Sequence, residues 1–197
     1  RPTTSFKAAI FDCDGTLVDT MVNHWRAWNI TMKHFGIDFP EDRFYAMGGV
    51  PPRAIVQILS EEQKVKCDID EVMRMKIKET EIIDKEYPLK PIDEVVSIAL
   101  SYKEAGIPIA VCSGGSRHHV HYALKMAGIE EHFETIVTSD DYEKGKPAGD
   151  CYILTAKKLG VDCKDCIGYE DTDIGLQSIK NANYKEAIDI RPLVAKK

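Results

Sequence analysis

Two aspartates separated by a single residue are the clearest chemical feature of this sequence. Asp12 and Asp14 follow directly on the short apolar run Ala8–Phe11, which is typical of a buried strand. Ligands of open α/β sheets bind beyond the carboxyl ends of the strands, so Asp12 is expected to face a crevice there. Gly15 allows the backbone to turn sharply after the pair. The pair therefore marks a candidate site at a strand end.

Polar side chains also follow three other apolar runs. Ser113 comes after the second run and opens a Gly-rich turn over residues 113–116, whereas Lys146 comes shortly after the third run. The fourth run ends at the adjacent carboxylates of Glu170 and Asp171. If these strand ends meet in one crevice, that crevice holds several carboxylates, one ammonium group and one hydroxyl.

This combination of side chains points to phosphoryl transfer. Carboxylates that pack closely repel one another unless a cation lies between them, and hard oxygen ligands suit Mg²⁺. Lys146 and the backbone amides of the Gly-rich turn provide positive potential for an anion, of which phosphate is the obvious candidate. A carboxylate, a metal ion and a phosphate together predict transfer through an aspartyl-phosphate.

The order of these motifs resembles that of the haloacid dehalogenase-like (HAD) hydrolase superfamily. Its four motifs are matched by Asp12-x-Asp14-Gly15-Thr16, Ser113, Lys146 and Glu170-Asp171, and the resemblance covers essentially the whole chain. Within the superfamily, the chain is most similar to the branch of β-phosphoglucomutase and of sugar-phosphate phosphatases of the fructose-1-phosphate phosphatase kind. Further residues support this branch: Asp19-Thr20, His24, Arg26-Ala27-Trp28 and Gly168-x-Glu170-Asp171-x-x-x-Gly175-x-Gln177.

The resemblance implies a role for each acidic residue of the site. Asp12 would be the nucleophile that takes the phosphoryl group. Asp14 would be the general acid that protonates the leaving alcohol, and then the base that activates water. Mg²⁺ would be bound by a carboxylate oxygen of Asp12, the backbone carbonyl of Asp14 and the carboxylate of Asp171. Glu170 would reach the ion either directly or through a water molecule.

The same resemblance implies which residues bind the substrate. Ser113 and Lys146 would hold the phosphoryl oxygens, and Gly114 would offer a backbone amide. The positions that bind substrate or steer Asp14 in β-phosphoglucomutase-like proteins are matched, in a helical insert, by His24, Arg53 and Lys76. An ordinary aspartate is protonated about one part in a thousand at pH 7, whereas a general acid must carry a proton. Closure of the insert is expected to favour neutral Asp14 by excluding water.

Short apolar runs and helix-period segments alternate along most of the chain. Continuous apolar runs are typical of parallel strands buried on both faces, and several of the segments between them end at glycine, as helices commonly do. The alternation predicts a doubly wound, Rossmann-like α/β sheet with right-handed crossovers. The predicted strands cover residues 8–11, 107–112, 135–138, 167–169 and 187–190, and the predicted helices cover residues 92–105, 117–127, 150–159 and 173–182.

One stretch breaks this alternation. It shows helix-like patterns over residues 24–35, 52–59 and 69–83 and no convincing strand. We therefore expect a small all-helical cap of residues 20–87, inserted after the first strand. The remaining residues, 1–19 and 88–197, are expected to form the α/β catalytic core.

Composition narrows the range of partners. The 197-residue chain has 26 Lys and Arg against 32 Asp and Glu, and this net charge of −6 argues against binding to nucleic acid or to an anionic membrane. No apolar run approaches the ~20 residues of a membrane span. Six cysteines, spread along a sequence without an apolar signal segment, favour reduced thiols in the cytoplasm. Nothing in the pattern indicates an obligate interface, so a monomer is expected.

These features lead to one main hypothesis and two alternatives. The main hypothesis is a Mg²⁺-dependent phosphatase that hydrolyses small phosphorylated metabolites, in particular sugar phosphates, through an aspartyl-phosphate. The first alternative is a phosphomutase of the β-phosphoglucomutase kind, although those enzymes often carry Val where this chain has Thr16. The second is a non-catalytic sugar-phosphate-binding or regulatory protein on the same fold, since fold does not determine function.

Some residues near these motifs also have purely structural interpretations. Ser113 could cap the helix that follows it, and Asp173 could either cap a helix or support the metal site. The spacing of His118, His119 and His121 spreads them around a helix, so they are expected to be solvated rather than to form a metal cluster.

Overall fold

The computed structural model describes residues 5–194. The chain divides into two compact units, one formed by the residues up to Asp19 together with those from Leu89 onward, and the other by Thr20–Pro88. No helix within residues 5–194 combines the length and the apolar character that crossing a bilayer requires. In chain order the helices are α1 Met21–His34, α2 Glu41–Ala46, α3 Pro52–Glu62, α4 Ile69–Glu86, α5 Asp93–Glu104, α6 Arg117–Met126, α7 Asp150–Leu159, α8 Asp173–Asn181 and α9 Arg191–Val194.

The first unit is built on a five-stranded sheet in which every pair of neighbouring strands is parallel, as the sequence predicts. The order of the strands across the sheet is β3-β2-β1-β4-β5. β1 therefore lies in the middle, with β2 and β4 on either side, and the residues that follow these three strands share one edge of the sheet. The strands are β1 Ala8–Phe11, β2 Ile109–Cys112, β3 Thr135–Val137, β4 Cys166–Glu170 and β5 Glu186–Asp189.

Both faces of this sheet are buried, which explains why its strands are continuously apolar. Along β1, Ala9 and Phe11 belong to one hydrophobic cluster, together with residues of α5 and α6. Ala8 and Ile10 belong to a second cluster, together with residues of α7 and α8. Because successive side chains of a strand point to opposite faces, helices cover the sheet on both sides. The predicted doubly wound α/β architecture is confirmed.

The loop between β3 and α7, which carries Lys146, is anchored through Asp141. The backbone N–H and the hydroxyl of Thr138 donate to Oδ2 of Asp141 at 2.9 and 3.0 Å, and the Arg117 guanidinium donates to Oδ1 at 2.8 Å. Burial alone would raise the pKa of the Asp141 carboxyl, but these hydrogen bonds and nearby Lys158 lower it to about 2. Asp141 is therefore ionised at neutral pH and ties this loop to the start of α6.

The second unit, Thr20–Pro88, consists of α1 to α4 around its own apolar core. Trp28 and Met32 of α1 are buried there, in a cluster with residues of the other three helices. The buried Asn23 amide donates to the Asp84 carboxylate at 2.9 Å and to the Tyr87 carbonyl at 2.8 Å, which joins the start of α1 to the end of α4. The function of this unit as a cap stays a prediction.

Two short helices are absent from the sequence-based assignment. α2 has six residues and α9 has four, so each completes fewer than two turns. Apolar residues cannot show a 3.6-residue period over so few positions. The longer helices and all five strands overlap the segments that the sequence predicts.

Candidate active site

The carboxylates at the ends of β1 and β4 converge because the two strands are neighbours. Phe11 is paired with Tyr169, and the backbone N–H of Asp12 donates to the Tyr169 carbonyl at 3.0 Å. Asp12 is 6% exposed. Carboxylate oxygens of Asp12, Glu170 and Asp171 all lie within 4.8 Å of one another. The adjacency of the strands thus brings together side chains that are far apart in the sequence.

Lys146 bridges three strand ends from the loop between β3 and α7. Its Nζ donates to Oδ1 of Asp12 and to Oε1 of Glu170, both at 2.6 Å, and to the Cys112 carbonyl at the end of β2 at 3.3 Å. Burial alone would lower the pKa of Lys146, but the Asp12 and Glu170 carboxylates outweigh this effect and hold it well above its usual value. The Lys146 side chain is therefore a buried ammonium ion.

The acidic cluster carries more negative charge than Lys146 can balance. Burial, followed by the Glu170 carboxylate, raises the pKa of Asp171 to about 7. Burial also raises the pKa of Asp12 well above its usual value, although Lys146 opposes this change. Both shifts reflect a shortage of positive charge among buried oxygen ligands, and a hard divalent cation would supply that charge. The cluster could therefore bind a metal ion.

Glu170 differs from the other two carboxylates because donors surround both of its oxygens. Oε1 accepts from Lys146 and from the Tyr152 hydroxyl at 3.3 Å. Oε2 accepts from the backbone N–H groups of Asp171 and Thr172 at 3.0 and 3.1 Å, and from the Thr172 hydroxyl at 3.1 Å. An ionised carboxylate offers about four lone-pair sites, so these five donors take up its whole capacity to accept hydrogen bonds.

A glycine of α8 makes room for this buried carboxylate. A Cβ at Gly175 would overlap the carboxyl carbon and both oxygens of Glu170. The backbone N–H of Gly175 donates to the Thr172 hydroxyl at 3.0 Å, so Thr172 is the residue that caps α8. Asp173 is exposed and pairs with Arg191 at 2.7 Å. Neither predicted role of Asp173, as helix cap or as support for the metal site, is seen.

The turn after β2 lies beside Lys146, since Cys112 precedes Ser113. Ser113 is buried, and its Oγ accepts from the Gly115 N–H at 3.0 Å. The alternative role of Ser113 as a helix cap is wrong, because Ser116 caps α6. Gly114 is exposed, and a Cβ there would contact nothing within 4 Å. The turn therefore has open space beside its backbone where an anion can approach.

The second aspartate of the first motif contacts a residue that the sequence analysis assigned to solvent. Nε2 of His119 lies 2.9 Å from Oδ1 of Asp14, and both side chains are about four-fifths buried, with 21% and 20% exposed. The expectation of three solvated histidines is therefore wrong for His119. His118 is exposed, and His121 pairs with Glu130 at 2.6 Å.

Thr16 connects the first motif to the fourth. Its hydroxyl is buried and donates to Oδ1 of Asp171 at 3.1 Å. Gly15, which precedes it, has a φ of 78°, a left-handed conformation that favours glycine. The sharp turn that Gly15 permits thus carries the chain from Asp14 back toward Asp171.

Two of the three candidate residues of the helical unit contact each other. Nζ of Lys76 donates to Nδ1 of His24 at 3.2 Å, and it lies 5.7 Å from the centre of the Trp28 ring. Arg53 is exposed and pairs with Asp70 at 2.6 Å. His24 and Lys76 therefore form one local pair, whereas the contact of Arg53 is with Asp70.

Comparison with known proteins finds similar sequences and structures over most of the chain. The family model described as haloacid dehalogenase-like hydrolase matches residues 9–188. Fructose-1-phosphate phosphatase YqaB of Escherichia coli is 30% identical over 190 residues, which are 95% of this chain and 98% of that protein. β-Phosphoglucomutase of Bacillus subtilis is 27% identical over 182 residues, covering 89% of this chain and 80% of the relative. The crystal structure of β-phosphoglucomutase from Clostridium difficile superposes with a TM-score of 0.77 at 25% identity, over 92% of this chain and 83% of that one.

Proposed function

The chain belongs to the family of haloacid dehalogenase-like hydrolases, and from this premise we propose that it is a Mg²⁺-dependent phosphatase of sugar phosphates. The single observation that carries the proposal is the convergence of Asp12, Asp171 and Lys146 at one edge of the sheet. The relative that acts on fructose 1-phosphate supports a small phosphorylated metabolite as substrate. The reaction would proceed through an aspartyl-phosphate.

In the first step the Asp12 carboxylate attacks phosphorus, and the bond from phosphorus to the ester oxygen breaks. Lys146 donates to Oδ1 of Asp12 and so fixes the rotation of the carboxylate. Two like charges about 4 Å apart repel by about 4 kcal/mol at an effective dielectric constant of ~20, and the Lys146 ammonium opposes that repulsion. Mg²⁺, when bound by the carboxylates of Asp12 and Asp171 and the Asp14 carbonyl, would neutralise further charge on the phosphoryl oxygens.

Asp14 moves the protons of both steps. Its carboxyl group gives a proton to the leaving alcohol oxygen, and the resulting carboxylate then takes a proton from the water that attacks the aspartyl-phosphate. Inorganic phosphate leaves, Asp12 is restored as a carboxylate and Asp14 is protonated again. A general acid–base of this kind contributes roughly 10²–10⁴-fold to the rate.

The phosphoryl group would be held by the turn after β2 and by Lys146. The Ser113 hydroxyl and the Gly114 N–H supply neutral donors, and the open space beside Gly114 suits an approaching oxygen. Glu170, whose oxygens already accept from five donors, would hold Lys146 in place and reach Mg²⁺ only through water. His24, Lys76 and Arg53 keep their predicted roles in binding the substrate or steering Asp14.

The proposal is tested by measuring phosphate release from a panel of hexose and pentose phosphates that includes fructose 1-phosphate. We expect release with Mg²⁺, none with EDTA, and none from Asp12→Asn with Mg²⁺. Asp173→Asn is the matched control, because Asp173 is an exposed aspartate paired with Arg191, and it should keep wild-type activity. Wild-type protein that releases no phosphate from the whole panel with Mg²⁺ present would refute the proposal.

Similarity to β-phosphoglucomutase supports a phosphomutase as the second candidate. In that case a sugar, rather than water, would take the phosphoryl group from Asp12. The mutase would be favoured if the protein isomerises glucose 1-phosphate, is stimulated by a hexose bisphosphate and releases little free phosphate. The non-catalytic alternative would require that neither reaction is detected although phosphate binds. The monomeric state and the cytoplasmic location stay predictions.

A further inference from the structure

His119 is held by the turn that is proposed to bind phosphate. The hydroxyl of Ser116 accepts from the His119 N–H at 3.4 Å, so His119 lies in the first turn of α6. A Cβ at Gly115 would lie only 3.2 Å from Cδ2 of His119. The imidazole therefore packs closely against the turn, and a side chain at residue 115 would crowd it. The Gly115 carbonyl in turn accepts from the Ser139 N–H at 2.9 Å, which fixes the turn to the segment after β3.

From this position the imidazole reaches across to the first motif. Nε2 of His119 lies 2.9 Å from Oδ1 of Asp14, within the range of a charge-assisted hydrogen bond. The two residues are 105 positions apart in the sequence, and each side chain is about four-fifths buried. A hydrogen bond to a carboxylate that excludes most water fixes the rotation of that carboxylate.

We propose that His119 is a positioning residue for Asp14. Its Nε2–H donates to Oδ1 and holds the carboxyl group so that Oδ2 carries out proton transfer. The proton given to the leaving alcohol departs from Oδ2 and is replaced there by a proton from the attacking water, while His119 keeps its own proton throughout. This inference rests on the proposed phosphatase function, because it assigns a partner to the acid–base group of that reaction.

The role predicts that the importance of His119 depends on the leaving group. An aliphatic alcohol must be protonated as it departs, whereas p-nitrophenolate leaves without a proton. The value of kcat/KM reports the steps up to the breaking of the ester bond. A poorly positioned Asp14 therefore lowers kcat/KM for a sugar phosphate more than for p-nitrophenyl phosphate. A merely structural role of His119 would lower both values equally.

The experiment compares His119→Leu, His119→Ala and His119→Gln on p-nitrophenyl phosphate and on an aliphatic sugar phosphate that the wild type hydrolyses. We expect Leu and Ala to lower kcat/KM about tenfold more for the sugar phosphate, the size expected for one hydrogen bond to a charged group. Gln has an amide N–H that can replace Nε2–H, so it should recover most of this loss. His118→Ala, an exposed histidine of the same helix, should behave as wild type.

Far-UV circular dichroism establishes that each variant is folded, and Leu provides the comparison with Gln should the Ala variant fail to fold. Equal losses on both substrates, no loss at all, or a Gln variant no better than Leu would each overturn the role of His119. Wild-type protein that hydrolyses none of the sugar phosphates in the panel with Mg²⁺ present would instead refute the phosphatase proposal, and with it the need for a positioned acid.

Discussion

Replacing Gly175 by alanine sets helix propensity against the packing of the acidic cluster. Gly175 lies in the first turn of α8, where alanine is favoured over glycine by about 1 kcal/mol on propensity alone. The new Cβ, however, would overlap the carboxyl group of Glu170, which is 1% exposed. The two effects have opposite signs, so the measured change in stability decides between them.

The size of the steric effect follows from what holds Glu170 in place. Forcing extra carbon into a packed site costs about 1–3 kcal/mol. If the Glu170 carboxylate moves away from Lys146, it also breaks a buried ion pair of 2.6 Å, a loss of about 3–5 kcal/mol when complete. If moving the carboxylate relieves the overlap, the ion-pair loss less the gain in helix propensity remains, and we expect Gly175→Ala to lower the free energy of unfolding by about 2–4 kcal/mol.

Thermal unfolding followed by far-UV circular dichroism measures this change. For a chain of this size, the expected loss lowers the unfolding midpoint by roughly 5–15 °C. Gly145→Ala is the control, because a Cβ there meets nothing within 4 Å and the glycine has no positive φ. Its midpoint should change by no more than a few degrees. A Gly175→Ala midpoint equal to or above that of the wild type would refute the steric argument.

Three further changes test other parts of the site and its supports. Lys146→Met leaves two buried carboxylates without their ammonium partner, so the free energy of unfolding should fall by about 3–5 kcal/mol. The rate of phosphate release should fall by roughly 100-fold or more. The same substitution at the exposed Lys144 should change neither quantity. Thr16→Val removes the hydroxyl that donates to Asp171, so the Mg²⁺ concentration for half-maximal phosphate release should rise about tenfold. An unchanged Mg²⁺ dependence would show that Thr16 does not support a metal-binding role of Asp171. Because the pKa of Asp141 is about 2 when folded and about 3.9 when unfolded, its stabilisation is present at pH 5–7 and is lost as pH falls from about 4 to 2. Asp141→Asn should therefore lower the free energy of unfolding, measured by urea denaturation, by about 1–2 kcal/mol at pH 7 and by about half as much at pH 3. An equal loss at both pH values would show that the charge is not the cause.

The sheet and its motifs were readable in the sequence because each depends on neighbouring residues. The strands are buried on both faces, so every position of a run such as Ala8–Phe11 must be apolar. The polar residues Asp12 and Ser113 stand out because each directly follows such a run. Parallel strands share the edge at which they end, so Asp12 and Asp171 could be expected at one edge, and the resemblance to the family implied that both bind the same metal ion.

Contacts between distant segments were not readable in this way. His119 has the same spacing and composition around it as any histidine on an amphipathic helix, and only the packing of α6 on the turn directs it to Asp14. Asp173 was a reasonable candidate for the helix cap, since aspartate favours that position. The path of the backbone placed the Thr172 hydroxyl over the helix and left Asp173 in solvent.

The sequence by itself determined the strands and the longer helices, their alternation and the order of the chemically active residues, because periodicity and strand ends are local properties. Only the tertiary structure decided how each oxygen is used: that Glu170 accepts from five donors, that Lys146 bridges Asp12 and Glu170, and that His119 contacts Asp14. The physical reason is that a hydrogen bond depends on distances near 3 Å between atoms of remote segments. Those distances are set by the packing of helices on the sheet.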